Sequence, residues 1–285
     1  MSPLRGNAIP PPYGGAILSA PARAARLEFA AAPRTIARKP MGSSSHESIA
    51  THTAIILAGG FGTRLAGTIG ELPKPMAPVA GRPFLEWQLE ALERRGIRAV
   101  ILSVGHRKEA IERHFGEAYR GLRISYVREE SPLGTGGAIV AAMASVQGDA
   151  AFVLNGDTFV RAPLAALESQ PGCELSVLVA RVEDASRFGT VVLAGGRLAG
   201  FVEKGAGGGG LVSCGVYWIA KRLMRRLADR GRFSFEKDFV EPEAGRLPIR
   251  AVVTDEPFVD IGVPESLAAA GRIVPALAAA DMGHS

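Results

Sequence analysis

Apolar residues along the chain fall into short unbroken runs that alternate with helical repeats, and the pattern starts near residue 53. Ala54–Ala58 (AIILA) is continuous apolar sequence, as a strand buried on both faces requires. A long loop, 59–82, follows it. Pro83 then opens a helix in which Phe84, Leu85, Leu89 and Leu92 recur at helical spacing, and Gly96 stops it. RAVILSV (98–104) predicts a second strand, with a helix after it through Phe115. A strand at 122–127, a helix after LGTGGA (133–138) and a buried strand in AFVLNGD (151–157) continue the alternation. Strand and helix in turn predict an α/β fold: a mixed, mainly parallel sheet with helices on both faces. Such sheets bind ligands at the carboxyl ends of their strands, where Gly59, Gly60, Thr135 and Asp157 fall.

The second half is less regular. ELSVLVARV, FGTVVL, RLAGFVEK and LVSCGVYWIA (211–220) read as strands, with a mobile turn expected in the glycine run 205–210. A helix is expected from about Lys221, a partly helical stretch over 233–245, a strand at 249–253 and a closing helix over 264–279. No internal repeat is present, and no hexapeptide β-helix follows.

Composition narrows the picture in two ways. The net charge of +5 is concentrated at the start of the chain: residues 1–50 hold six Arg and Lys against Glu28 and Glu47, leaving about +1 for the rest. The basic balance therefore describes a leader and argues against a nucleic-acid-binding face. Residues 1–50 carry PPP and GSSS with no sustained period, so they read as disordered. A targeting peptide, a tail without a role, and an upstream extension with Met41 as the functional start remain open. Residues 51–285 read as a single domain. No apolar run reaches the ~18 residues of a membrane span. Cys173 and Cys214 form no CxxC pair, which suits a reducing cytoplasm. Oligomeric state is not legible, and a weakly hydrophobic face leaves room for a homodimer.

The chemistry concentrates in AIILAGGFGTRLAGTIGELPKP (54–75). A buried strand runs into glycines whose backbone can approach a polyphosphate, with Arg64 and Lys74 adding positive charge. The stretch is not a P-loop, because Lys74 lies well beyond the glycines and precedes Pro75. Nor is it a dinucleotide fingerprint, because Leu65 stands where the third glycine belongs. Asp157 and Asp260 each end an apolar strand, in NGD and FVDIG, where either, read alone, could equally be a turn aspartate.

GGFGTRL, LPKPM and FLEWQLEAL together resemble the sugar-phosphate nucleotidyltransferase family, over about residues 54–275. The resemblance implies the Rossmann-like nucleotide-diphospho-sugar transferase fold. It also implies a Mg²⁺-dependent reaction of a nucleoside triphosphate with a sugar 1-phosphate that releases pyrophosphate, serving surface-glycan or lipopolysaccharide synthesis. On these residues it implies phosphate binding and catalysis by Arg64 and Lys74. The nucleotide would lie along Leu57, Gly59, Gly60, Gly62, Thr63, Gly134, Thr135 and Gly136. The sugar phosphate would contact Asn155, Glu203, Lys204 and Gly215, and the metal Asp157 and Asp260. Ser213 and Cys214 depart from the Asn or Gly of many relatives, on the sugar side. LPKPMAPVAGRPFLEWQL, NGDTF (155–159) and FSFEKDFVEP (233–242) most resemble the heptose 1-phosphate guanylyltransferases. Mannose 1-phosphate guanylyltransferases, muramate or glucose 1-phosphate uridylyl and thymidylyl enzymes, and a non-catalytic sugar-nucleotide sensor are the alternatives.

Overall fold

The computed structural model describes residues 52–60, 62–168, 172–202 and 208–280. The leader, Glu203, Lys204 and the first half of the glycine run, 205–207, lie outside them, and the described residues all belong to one unit, Met41–Ser285. The principal strands are β1 (Thr53–Leu57), β2 (Ala99–Val104), β3 (Ala118–Tyr119), β4 (Leu122–Arg128), β5 (Ala150–Asn155), β6 (Leu175–Val182), β7 (Thr190–Ala194), β8 (Arg197–Val202), β9 (Gly210–Ala220) and β10 (Arg250–Thr254). Four longer helices accompany them: α1 (Phe84–Arg94), α2 (Lys108–Phe115), α3 (Gly134–Ala144) and α4 (Pro264–Ala280). Among the described residues these strands form one ten-stranded mixed sheet, in the order β7-β8-β10-β6-β9-β5-β1-β2-β4-β3.

The parallel block expected from the alternation is β5-β1-β2-β4, with β1 at its centre between β2 and β5. Its strands are almost wholly apolar because both faces are covered. Leu85, Leu89, Ile111 and Phe115 of α1 and α2 join the core on one face. Ile139, Ala142 and Met143 of α3 join the core on the other. Apart from the short β3, which runs against β4, antiparallel pairing in this sheet belongs to the irregular second half: β9 runs against both β5 and β6, and β7, β8 and β10 extend the sheet, β10 lying parallel to β6. The β9–β6 register shifts between Ser213 and Tyr217, and Gly215 within that shift takes φ +64°. A bulge of this kind bends a strand and re-aims its backbone.

Three stretches differ in detail from expectation. The stretch 59–82, expected as a loop, contains the short helix Ala66–Ile69 and a two-stranded ribbon of Pro78–Val79 with Arg82–Pro83. Lys221–Arg226, expected as a helix, winds as a 3₁₀ helix, and Glu236–Val240, within a stretch expected to be partly helical, is a π-type turn. In the last case Pro242 has no N–H to give the Asp238 carbonyl four residues earlier, and Arg230 Nη1 donates to that carbonyl instead, at 2.7 Å. A separate ribbon pairs Thr158–Val160 with Phe258–Asp260 and sets Asp260 opposite Thr158. No described helix is long and apolar enough to cross a membrane.

Candidate active site

The site is assembled at the carboxyl ends of β1, β5 and β4. The Ala58 N–H donates to Ser103 O at 2.8 Å, so the chain stays in the sheet for one residue past β1 before the glycines begin. A β-carbon on Gly59 would overlap the Glu129 carboxylate, and glycine is what lets that side chain lie against the loop. Gly62 adopts φ +60°, a region that disfavours other residues, and turns the chain past Lys74. Lys74 then opens the short turn Lys74–Met76 between Pro73 and Pro75, with Pro75 and Met76 buried beneath it.

This stiff base carries Lys74 Nζ to 2.6 Å from Asp157 Oδ2, an ion pair between residues 83 positions apart. Asp157 follows β5 in a turn that is pinned to β1. The Gly156 N–H donates to Leu57 O at 3.0 Å, and a β-carbon on Gly156 would come within 2.5 Å of that oxygen. Asp260 reaches the same turn through the Thr158 ribbon, and the Ile261 N–H donates to Asp157 O at 2.9 Å. The Asp260 carboxylate accepts from the Gly262 N–H at 2.9 Å and from Arg187 Nη2 at 3.3 Å. Both carboxylates are therefore met by a cationic side chain, and oxygen donors of this kind suit a hard divalent cation.

The second wall is the start of α3. A β-carbon on Gly134 would overlap the Phe233 backbone, and Gly134 has φ +69°. The Phe233 N–H donates to Leu133 O, and the Gly136 N–H to Phe233 O, at 3.1 and 3.0 Å. Thr135 Oγ1 accepts the Phe235 N–H at 2.8 Å. The segment 233–235 is thus strapped across the LGTGG loop, and its next residue, Glu236, reaches β9. One Glu236 oxygen accepts from Ser213 Oγ at 2.9 Å and from the Tyr217 hydroxyl, while the Gly215 N–H donates to Ser213 Oγ at 3.3 Å. Burial, together with the Glu236 charge, holds the Tyr217 hydroxyl well above its usual range. Burial likewise pushes the Cys214 thiol up to about 12.

Between the two walls lies a cleft of about 330 Å³. Of the residues expected from sequence, Leu57, Gly59, Gly60, Lys74, Gly134, Thr135, Asn155 and Asp157 line it. Gly62 and the backbone of Thr63 belong to the loop beside it, and Arg64 is exposed on the turn Thr63–Leu65. Gly136 is buried behind the wall, its N–H already bonded to Phe233. Gly215 touches the cleft through Asn155, since a β-carbon there would overlap the Asn155 amide. Glu203 and Lys204 lie outside the described residues. Sequence reasoning passed over Gly156, Glu129 and Arg232, which also line the cleft. Gly156 was legible as the middle of NGD. Nothing local marks Glu129 or Arg232, because each reaches the cleft through contacts between distant segments.

Residues 53–274 match the family model for nucleotidyl transferase. The chain belongs to the nucleotidyl transferase family. A D-glycero-alpha-D-manno-heptose 1-phosphate guanylyltransferase of Campylobacter jejuni is 40% identical over 213 residues, which are 74% of this chain and 95% of that protein. The protein of the same description from Aneurinibacillus thermoaerophilus is 38% identical over 215 residues, 74% of this chain and 94% of its own. Among solved structures, HddC from Yersinia pseudotuberculosis complexed with GMP-PN superposes with a TM-score of 0.69 at 33% identity, covering 77% of this chain and 98% of that one. In this nucleotidyltransferase the glycine loop, Lys74 and the start of α3 line one cleft. The exposed Arg64 stands at the loop's outer side.

Proposed function

We propose that this nucleotidyltransferase joins a heptose 1-phosphate to GTP, giving GDP-heptose and pyrophosphate with Mg²⁺. The observation that carries the reading is the Lys74–Asp157 pair on the cleft floor, a cation and a carboxylate at 2.6 Å between the glycine loop and α3. A sugar-phosphate oxygen attacks the nucleotide α-phosphorus in line, and the bond from that phosphorus to the pyrophosphate breaks. A phosphate monoester, with a second pKa of about 6, is largely dianionic at neutral pH, so the nucleophile needs no general base. The residues lining the cleft include no histidine. The protein's task is to hold two anions together and to stabilise charge spreading onto the leaving group. Lys74 does so at the α-phosphate, the loop glycines allow close backbone approach, and Arg64 meets the outer phosphates. Asp157 and Asp260 would hold Mg²⁺, which supplies charge neutralisation of the triphosphate.

Guanine is favoured by Glu129 as well as by the relatives' names. A carboxylate only accepts hydrogen bonds, and guanine offers N1–H and N2–H side by side. Glu129 Oε1 accepts from Ser103 Oγ and Oε2 from the Leu133 N–H, both at 3.1 Å, which leaves about two of its four lone-pair sites for a base. Asn155, Gly215, Glu203 and Lys204 are the proposed sugar contacts. The proposed setting is the cytoplasm, in keeping with two buried cysteines that remain thiols.

Pyrophosphate release from a panel of nucleoside triphosphates and sugar 1-phosphates tests the reading. GTP with D-glycero-D-manno-heptose 1-phosphate is expected to give the highest kcat/KM. Faster turnover of mannose 1-phosphate would reassign the sugar, and no release from any pair would favour a ligand sensor. Lys74→Ala is expected to keep its fold by circular dichroism while losing more than about tenfold in kcat/KM. Near-normal turnover would remove Lys74 from the chemistry.

A further inference from the structure

The turn that carries Asp157 is gripped from behind by a helix that contributes no residue to the cleft lining. Gln88, on α1, is 3% exposed. Its Nε2 donates to Asn155 O and to Thr158 O, both at 2.8 Å. Those two carbonyls bracket Gly156 and Asp157. The amide orientation is set by its surroundings: reversed, Oε1 would face two carbonyl oxygens with no proton between them.

Packing alone does not account for this residue. Its neighbours on α1 include Phe84, Leu85, Leu89 and Leu92, all buried and apolar. Gln88 Oε1 is buried without a hydrogen-bond partner among the described residues. An unsatisfied buried acceptor costs about 1–3 kcal/mol, so an apolar residue would serve the core better. The compensation is the pair of bonds to the turn. Apart from the Lys74–Asp157 ion pair, the other ties on this turn come from strands or their ends: Gly156 N–H to Leu57 O, Ile261 N–H to Asp157 O, and Thr158 Oγ1 to Cys214 O at 3.1 Å. Gln88 alone among these spans the turn from one side of the aspartate to the other.

We propose that Gln88 is a positioning residue for Asp157, its amide fixing the turn so that the carboxylate is aimed at Lys74 and the metal. The inference rests on the metal reading above. A side chain that orients a metal-binding carboxylate acts on metal affinity, typically by about 10–100-fold when removed, before it acts on binding of the organic substrates.

The test compares Gln88→Met, which keeps the volume and removes both donors, with Leu89→Ala, a core change on the same helix. Mn²⁺ binding to the substrate-free enzyme, followed by electron paramagnetic resonance, is read beside melting temperature and the Mg²⁺ dependence of turnover. Gln88→Met is expected to weaken Mn²⁺ binding and raise half-saturating Mg²⁺ by about tenfold, with KM for GTP within about twofold. Leu89→Ala should lower the melting temperature without moving either metal constant. Unchanged metal constants in Gln88→Met, or an equal shift in Leu89→Ala, would overturn the assignment. Should the Met variant fail to fold, Gln88→Leu is held to the same criterion. Asp157→Asn separates the two readings. If it leaves Mn²⁺ binding intact, the metal reading fails and this inference with it. If it weakens binding while Gln88→Met does not, only the role of Gln88 falls.

Discussion

A side chain at position 215 would have to occupy the space of the Asn155 amide, and it would have to do so at φ +64°. Both constraints act at the cleft wall, where backbone strain and a displaced polar side chain add. Gly215→Ala is therefore expected to destabilise the fold by about 1–3 kcal/mol in urea denaturation. It should also cut kcat/KM by more than about tenfold. A variant with wild-type stability and turnover would show that Asn155 can move aside freely. Cys214, the neighbour of Gly215, is a different case. It is 0% exposed and its thiol is pushed up to about 12 by burial, so it is held as an inert core residue. Ser213 has a structural role of its own, because Ser213 Oγ connects Gly215 to Glu236.

That connection belongs to an element rather than a residue. The segment 232–240 lines the cleft with Arg232, straps the α3 loop with Phe233 and Phe235, and ties β9 through Glu236. Its FSFEKD sequence reads only as partly helical, yet its backbone joins the nucleotide wall to the strand carrying Gly215. Glu236→Ala removes the carboxylate that accepts from both the buried Tyr217 hydroxyl and Ser213 Oγ, leaves those two hydroxyls only each other at 3.3 Å, and frees that end of the strap. Losing hydrogen bonds to a charged group in a buried setting costs about 1–3 kcal/mol. The expected outcome is a loss of that size in chemical denaturation, with KM raised together for GTP and for the sugar 1-phosphate. A rise confined to one substrate would mean that the segment serves one wall only. At this scale the π-type turn also has its explanation, since Pro242 withdraws a donor that Arg230 replaces.

At the scale of the whole molecule, the cleft is built between residues 57 and 232, and the family match begins at 53. The basic excess lies upstream, in residues 1–50. Deleting residues 1–40 is accordingly expected to leave kcat/KM within about twofold, since the residues that line the cleft and the family match all lie downstream of it. A larger loss would give the leader a part in catalysis.

What could be read from sequence divides along the same physical line. The parallel block was legible because β1, β2 and β5 are buried on both faces and α1 has an apolar stripe, and both are local periodic signals. The glycine loop with Lys74, the LGTGG turn and the two strand-end aspartates were legible because their chemistry is written in consecutive residues. The antiparallel half was visible only as separate strands, since their order depends on pairing partners far along the chain. By itself, then, the sequence determined most of the principal strands and the four longer helices, and it carried the loop that marks a nucleotidyltransferase. Tertiary structure alone decided that Asp260 meets the Asp157 turn, that Glu129 lies on Gly59, that Gln88 grips the carbonyls around Asp157, and that residues 233–236 join the two walls. These are contacts between residues 19 to 104 positions apart along the chain. No local period encodes such contacts; the packing of helices on the mixed sheet does.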